Sequence, residues 1–368
     1  MVNETRQSND QVVSSRVIAY YLPQFHPIPE NDEWWGKGFT EWTNAAKARP
    51  LFKGHYQPHI PADLGYYDLR LPETRDAQAA MARKHGVEAF CYYHYWFAGR
   101  RLLERPFNEV LASGEPDFPF CLCWANQTWT GIWHGAPNRV LIEQTYPGME
   151  DHRRHFETLL PAFCDKRYVK VDGKPLFMVY NLDELPDSAR VLEFWRELAS
   201  KAGLPGLFLV AEHRLPDWDP KVHGYDAAVT ISLWRWADKW VSWNQPIKKI
   251  RRKTRQLRGR PTVHPYEQVS ESIVIERTNG IENFPCVVPN WDNTPRSGSN
   301  GLVLHGSTPE LFRRQVRRAL DRMHDVPREH RIVFVKSWNE WAEGNHMEPD
   351  GKFGLQYLEV LSEELTEK

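Results

Sequence analysis

Arg331-Ile-Val-Phe-Val-Lys-Ser-Trp-Asn-Glu-Trp-Ala-Glu-Gly344 is the stretch on which the reading of this chain turns. Ile332 to Val335 is a run of β-branched and aromatic residues, the pattern of a buried strand. The run then breaks into Trp338, Asn339, Glu340, Trp341, Glu343 and Gly344. Carboxylates at a strand end cost desolvation energy unless they are paired or used. Indole faces beside acids suit a sugar ring: flat apolar surface for its C–H groups, carboxylates for its hydroxyls and glycosidic oxygen. The plainer alternative is a strand that meets solvent at a capped turn.

Seven further apolar runs precede this one, at 17–22, 87–96, 118–126, 174–180, 207–211, 226–231 and 285–289. Each is continuous and not alternating, and helical patterns separate most of them, at 72–85, 108–112, 151–164, 188–202 and 309–323, with a closing helix over 354–366. Continuous apolar strands alternating with helices are what a parallel barrel with both faces covered should show. The fold class read from this is α/β, a single-domain (β/α)8 TIM barrel with long βα loops. Residues 1–16 form a polar N-terminal tail, and 17–368 form the barrel with an insertion at about 233–283. The runner-up, a doubly wound sheet, lacks a Gly-rich phosphate loop after any strand.

In such a barrel the site lies at the C-terminal strand ends. Those ends offer Tyr21, Gln24 and His26; Tyr93, His94 and Trp96; Trp124 and Asn126; Tyr180; Glu212 and His213; Trp291 and Asp292; Trp338, Asn339 and Trp341. With Trp42, from the long irregular segment after the first strand, these are the expected substrate-binding residues. His94, among aromatic rings, reads as a hydrogen-bond partner for substrate. Glu41 reads equally as a sugar ligand or a loop brace. Glu340 and Glu343 are the expected catalytic pair, because glycoside cleavage needs one carboxyl to protonate the leaving oxygen and a second group for the anomeric carbon. Three residues apart on a helix-like turn, they can face one cleft, and two close like charges push one pKa upward.

Lys+Arg 47 against Asp+Glu 48 gives a net charge of −1, which offers no general basis for binding nucleic acid. The chain holds 16 Trp, 14 Tyr and 17 Phe, many at predicted strand ends, which favours carbohydrate. Five cysteines, Cys91, Cys121, Cys123, Cys164 and Cys286, read as buried free thiols of a reducing compartment. His55 and His59 have a metal-binding spacing for a helix, but Pro58 and Pro61 argue against a helix there. No metal and no cofactor are expected. The polar start without an apolar segment reads as lacking a signal peptide, hence cytoplasmic. The run Lys248 to Arg260 carries eight basic residues and no acidic one. It reads as a solvated face, with a membrane or lipid-linked glycan as the alternative contact.

The segments Tyr20 to Trp42, Gly54 to His59, Cys91-Tyr-Tyr-His-Tyr-Trp-Phe97 and Trp338-Asn-Glu-Trp-Ala-Glu-Gly344 resemble the WbsX-like family. That family is named for glycosyltransferases of bacterial surface-polysaccharide (O-antigen or capsule) synthesis, and it is similar to the endo-α-mannosidase clan, glycoside hydrolase family 99. The resemblance runs from about Val17 to Leu358. It implies a (β/α)8 barrel and a retaining glycosidase site that uses neither metal nor covalent enzyme intermediate. Glu340 would take the proton of the sugar 2-hydroxyl, whose oxygen attacks its own anomeric carbon to give a 1,2-anhydro sugar. Glu343 would protonate the leaving group and then activate water. The family pattern after the third strand reads Trp-Ala-Asn-Glu-Asn-Trp-Thr with an Asp further on. Here Trp124-Ala-Asn-Gln-Thr-Trp-Thr130 and His134 stand in its place. Gln127 for an acid bears on which sugar the neighbouring subsites accept. The expected function is a retaining endo-acting glycoside hydrolase on an α-linked mannose- or rhamnose-like bacterial polysaccharide. A glycosyltransferase and a non-catalytic sugar-binding barrel are the alternatives.

Overall fold

Eight short parallel strands, among the described residues, close into a ring: β1 (Arg16–Tyr21), β2 (Ala89–His94), β3 (Phe120–Trp124), β4 (Lys174–Val179), β5 (Phe208–His213), β6 (Ala227–Thr230), β7 (Asn283–Val287) and β8 (Ile332–Val335). The structure is a computed structural model that describes residues 15–131, 136–213, 218–231, 233, 254, 258–274 and 280–366. Each strand pairs in parallel with the next, β8 pairs with β1, and the β4–β5 pairing leaves no open edge. The chain is thus a single-domain (β/α)8 barrel. Residues 1–14, His134, and most of the insertion at 233–283 and of the basic run Lys248 to Arg260 lie outside the described residues.

The helices are α1 (Pro29–Trp35), α2 (Glu41–Lys47), α3 (Pro72–Lys84), α4 (Arg105–Ser113), α5 (Met149–Phe163), α6 (Ser188–Lys201), α7 (Tyr266–Ile273), α8 (Thr294–Ser297), α9 (Pro309–Met323) and α10 (Gln356–Thr366). α3 and α9 begin with proline, whose missing N–H is unneeded in a first turn. Between β5 and β6 the described residues hold only the 3-10 turn Pro220–His223.

Side chains alternate across each strand, and this sorts the aromatic residues into two populations. Tyr20, Tyr93 and Phe334 lie inside the ring, with Tyr20 stacked on Tyr93 at 5.6 Å and tilted against Phe334 at 5.7 Å. Small thiols share this interior: Cys91 Sγ lies 3.6 Å from Met178 Sδ. Tyr21, Phe90, Tyr92 and Trp124 face the helices instead. Tyr21 donates to Gln78 of α3, Tyr92 packs on Phe107 of α4, and Trp124 stacks on Trp195 of α6. Cys91, Cys121, Cys123 and Cys286 are buried and free, while Cys164 is exposed and free.

Ion pairs stitch the bottom of the barrel. Arg16 binds Glu88, and His330, just before β8, bridges Glu282 and Asp172. Burial alone would lower the pKa of His330, but the two carboxylates raise it above the usual histidine value. A group whose folded pKa is raised stabilises fully below its unfolded pKa, and the gain is lost as pH rises through the folded value. His330→Gln should therefore cost about 1 kcal/mol at pH 5.5 and close to nothing at pH 9, read from urea unfolding at both pH values.

Candidate active site

The two glutamates after β8 are held by a local hairpin. Asn339 and Glu340 pair antiparallel with His346 and Asn345, and the 3-10 turn Trp341–Glu343 caps the loop. Gly344 ends the turn at φ +56°, where a Cβ would lie 3.1 Å from Cβ of Asp292 and 3.3 Å from Cε1 of His59. Only glycine meets both the positive φ and that approach. Below the turn, the Glu348 carboxylate accepts from Trp341 Nε1 (2.6 Å), Gln78 Nε2 (2.6 Å) and the Tyr67 hydroxyl (2.9 Å). Burial raises Glu348 to about 7 against those hydrogen bonds.

Glu340 and Glu343 meet at one guanidinium. Arg296 on α8 donates from Nη2 to Glu340 (3.0 Å), from Nη1 to Glu343 (2.6 Å) and from Nε to Glu41 at the start of α2 (2.7 Å). Three nearly buried carboxylates thus surround one nearly buried cation. Among the described residues, these bonds occupy one oxygen of each catalytic candidate, Oε2 of Glu340 and Oε1 of Glu343, and leave the other for a ligand. Burial raises the pKa of both glutamates; the mutual charge adds to this at Glu340, and Arg296 opposes it at both. Such a pair titrates in two steps that belong to the pair and not to either residue. Burial penalises the Arg296 charge, yet Glu41, Glu343 and Glu340 hold its pKa well above the usual arginine value.

A second cation forms the floor. Lys336, one residue beyond β8, sits 3.3 Å from Glu212, 3.4 Å from the Tyr93 hydroxyl, and over the rings of Tyr20 (4.8 Å) and Tyr180 (5.0 Å). Burial disfavours its charge, but Glu212, Tyr180, Cys286 and Glu343 together outweigh that and its pKa is raised. Tyr93, Tyr180 and Glu212, expected from sequence, therefore gather with Glu340 and Glu343 at the mouth. Tyr95 belongs there too: burial raises its hydroxyl pKa, with Glu340 the next cause.

The other expected ligands have partners within the protein. His94 bonds through Nε2 to His155 of α5 at 2.8 Å. Trp96 donates to Asp151 and stacks flat on His155 at 4.6 Å. Trp124 and Tyr21 face helices, and His213 stacks on Trp218 at 4.5 Å. Asn126 clips β3 to the loop after β4 through Asn181 and Tyr146. Asn339 holds the Leu22 backbone through both ends of its amide. Trp338 packs on Phe90 at 5.0 Å. Trp341 stacks on His346 at 3.8 Å, and Trp42 packs on Trp341 while donating to the Tyr67 carbonyl. Trp291 is buried in a two-residue strand whose partner is Leu304. His26 is buried, which pushes it down to about 4, and its nearest charge is Asp68. Gln24 is half-buried and its carbonyl accepts the Glu41 N–H.

Asp292 is a brace, not a hydroxyl ligand. One oxygen accepts from Thr294 N (3.0 Å) and Oγ1 (2.6 Å), and the other meets His55 Nε2 (2.6 Å) and Gln57 Nε2 (2.7 Å). Burial would raise its pKa, but bonds from His55, Thr294 and Gln57 hold it below the usual carboxylate range. It anchors the first residue of α8, and so aims Arg296. Glu41 braces the same cation, which gives the loop residue its role. Arg296 and Lys336 were missed. The signal for Lys336 was a lysine closing an apolar strand; for Arg296 the sequence offers none, since it stands 44 residues before Glu340.

Barrel and carboxylate cluster together define the class. A family model described as glycosyltransferase WbsX matches residues 17–361, and the chain belongs to that family. It is 36% identical over 357 residues to the uncharacterized protein WxcX of two Xanthomonas campestris pv. campestris strains, B100 and ATCC 33913. These matches cover 97% of this chain and 50% of WxcX, so the chain spans about half the length of the curated relatives it matches. Among solved structures it is similar to a glycoside hydrolase-like protein (TM-score 0.57, 16% identity, 95% of this chain and 94% of that one). It is also similar to the family 99 endo-α-mannosidase of Bacteroides thetaiotaomicron (TM-score 0.55, 14% identity, 96% and 97%). At these identities the likeness is one of fold. Among the described residues no helix is long and apolar enough to cross a membrane.

Arg296→Ala should destabilise the protein by about 3 kcal/mol at pH 8, because three buried carboxylates lose their cation. At pH 5 the deficit should shrink as those carboxylates take up protons. Chemical denaturation of both proteins at the two pH values measures the difference.

Proposed function

We propose that the protein is a retaining, endo-acting glycoside hydrolase on an α-linked mannose- or rhamnose-like bacterial polysaccharide. The observation that carries this reading is the buried Glu340–Glu343 pair at the C-terminal mouth of the barrel, tied by one guanidinium and raised in pKa. Acid–base catalysis at neutral pH requires one carboxyl ionised and one protonated. A coupled pair with raised pKa values can divide those two roles.

In the reaction, Glu340 accepts the proton of the sugar 2-hydroxyl as that oxygen bonds to its own anomeric carbon. The bond from the anomeric carbon to the leaving oxygen breaks, and Glu343 protonates that oxygen. Water, deprotonated by Glu343, then opens the 1,2-anhydro ring at the anomeric carbon, and Glu340 returns its proton to the 2-oxygen. Two inversions give retention. We assign Lys336, Glu212, Tyr93 and Tyr180, which gather around one buried cation, to the ring's remaining hydroxyls. Their ionic and phenolic groups suit a polyol better than an apolar ligand.

A second reading, a glycosyltransferase of surface-polysaccharide assembly, draws on the description the family carries. The two differ in what accepts the sugar. Purified protein incubated with mannose- and rhamnose-containing polysaccharides, without nucleotide sugar, should release new reducing ends. Glu340→Gln and Glu343→Gln should each lower that rate by about a thousandfold while keeping the native circular dichroism spectrum. Sugar movement only on addition of an activated donor would replace the hydrolase by the transferase.

A further inference from the structure

Behind the Glu340–Glu343 turn lies a second cluster that the chemistry above does not use. His55 and His59, an apparent pair in the sequence, part company in the fold. His55 is committed to Asp292, whereas His59 turns to His346 on the far arm of the active-site hairpin, with Nδ1 2.9 Å from His346 Nε2. Asp350 completes a buried triad whose ligand atoms all lie within 4.8 Å of one another. We propose that His59, His346 and Asp350 form a binding site for a divalent cation of the zinc class, which pins the active-site hairpin to the loop carrying His59.

His346 is prepared for an ion, and His59, whose Nδ1–H donates to it at 2.9 Å, would ligate in the tautomer that carries its proton on Nε2. His346 Nδ1 faces the Glu348 carbonyl at 2.9 Å, and since a carbonyl only accepts, Nδ1 carries the proton and Nε2 presents its lone pair. A second-shell carbonyl that fixes the tautomer in this way is the usual support of a metal-binding histidine. Burial keeps both imidazoles neutral, lowering His59 to about 3 and His346 below its ordinary value. Tetrahedral ligation with zinc–nitrogen bonds of about 2.0–2.1 Å sets two nitrogens about 3.3 Å apart, so the rings need part by only a few tenths of an ångström.

Asp350 is equally prepared. Its Oδ1 accepts from the backbone N–H groups of Lys352 (2.9 Å) and Phe353 (2.7 Å), and its Oδ2 from the Tyr56 hydroxyl (3.2 Å). Among the described residues it has no ion-pair partner. The nearby Lys352 ammonium lies over the rings of Tyr56 (4.6 Å) and Phe353 (4.5 Å). Asp292 and Asp350 both bring negative charge to His59, against Lys352. A cavity of about 70 Å³ lined by Tyr56, His59, His346, Asp350 and Lys352 gives the ion a way in and a water its fourth position. His346 stacks on Trp341, which directly follows Glu340, at 3.8 Å. An ion here would therefore fix the hairpin's far arm without touching substrate, independently of what the enzyme cleaves.

The test uses the full chain, stripped with EDTA and dialysed. Zinc titration by calorimetry should show one equivalent bound at micromolar affinity or tighter, with a rise in melting temperature. Cobalt(II) should give the visible d–d bands of a tetrahedral nitrogen–oxygen site without a thiolate charge-transfer band. His346→Gln and Asp350→Asn should each weaken zinc binding at least tenfold. His324→Gln, at an exposed histidine, should leave it unchanged. A wild-type protein that takes up no zinc, or variants that bind as the wild type does, would overturn the proposal. Should one variant fail to fold, wild-type stoichiometry and the other variant still decide it.

Discussion

A guanidinium inside three carboxylates governs this molecule. Buried charges are tolerated only when paired and hydrogen-bonded. Arg296 gives each of Glu41, Glu340 and Glu343 a donor, and each gives it an acceptor. Three loops, after β1, β7 and β8, are thereby drawn to one point. Everything nearby serves that convergence: Asp292 aims α8, the hairpin and Gly344 shape the turn, and Glu348 holds it from below. The same arrangement keeps the catalytic candidates electrostatically poised.

The barrel was legible because its strands are apolar on both faces. Continuous runs such as Ile332 to Val335 and Phe177 to Val179 have no polar side to show, which marks a sheet covered by helices without and filled within. The strand positions follow from this to within a few residues. Which residues at the strand ends belong to the site was less legible, for the same reason. When both faces are apolar, composition does not reveal which way a side chain points. Tyr20 and Tyr21 read alike, but one lies on the barrel floor and its neighbour bonds to α3. Tyr93 and His94 divide in the same manner. Parity along each strand, counted from a single inward residue such as Lys336, would have separated them.

Histidine and tryptophan misled most. Beside acids in sequence they suggest sugar contacts, yet here they build the layer between barrel and helices. His94, Trp96, Trp124, His155 and Trp195 form one buried aromatic stack, and Trp42, Trp341 and His346 another. These stacks hold the mouth rigid, which a site built on loops requires. Arg296, and its pairing with the three glutamates, was invisible for a different reason. Their contacts span hundreds of residues for Glu41 and tens for the glutamates, and nothing local betrays such a pairing.

The chain's family is described by a carbohydrate activity, and the proposed reaction rests on the buried glutamate pair together with the resemblance to glycoside hydrolase family 99. Proton NMR of the first sugar released from an α-linked mannan-type polysaccharide tests that directly, because the anomeric configuration is recorded before mutarotation. The α-anomer appearing first, with no nucleotide sugar present, is the outcome expected of two successive inversions at the anomeric carbon. First appearance of the β-anomer, or release that depends on an added donor, would contradict it.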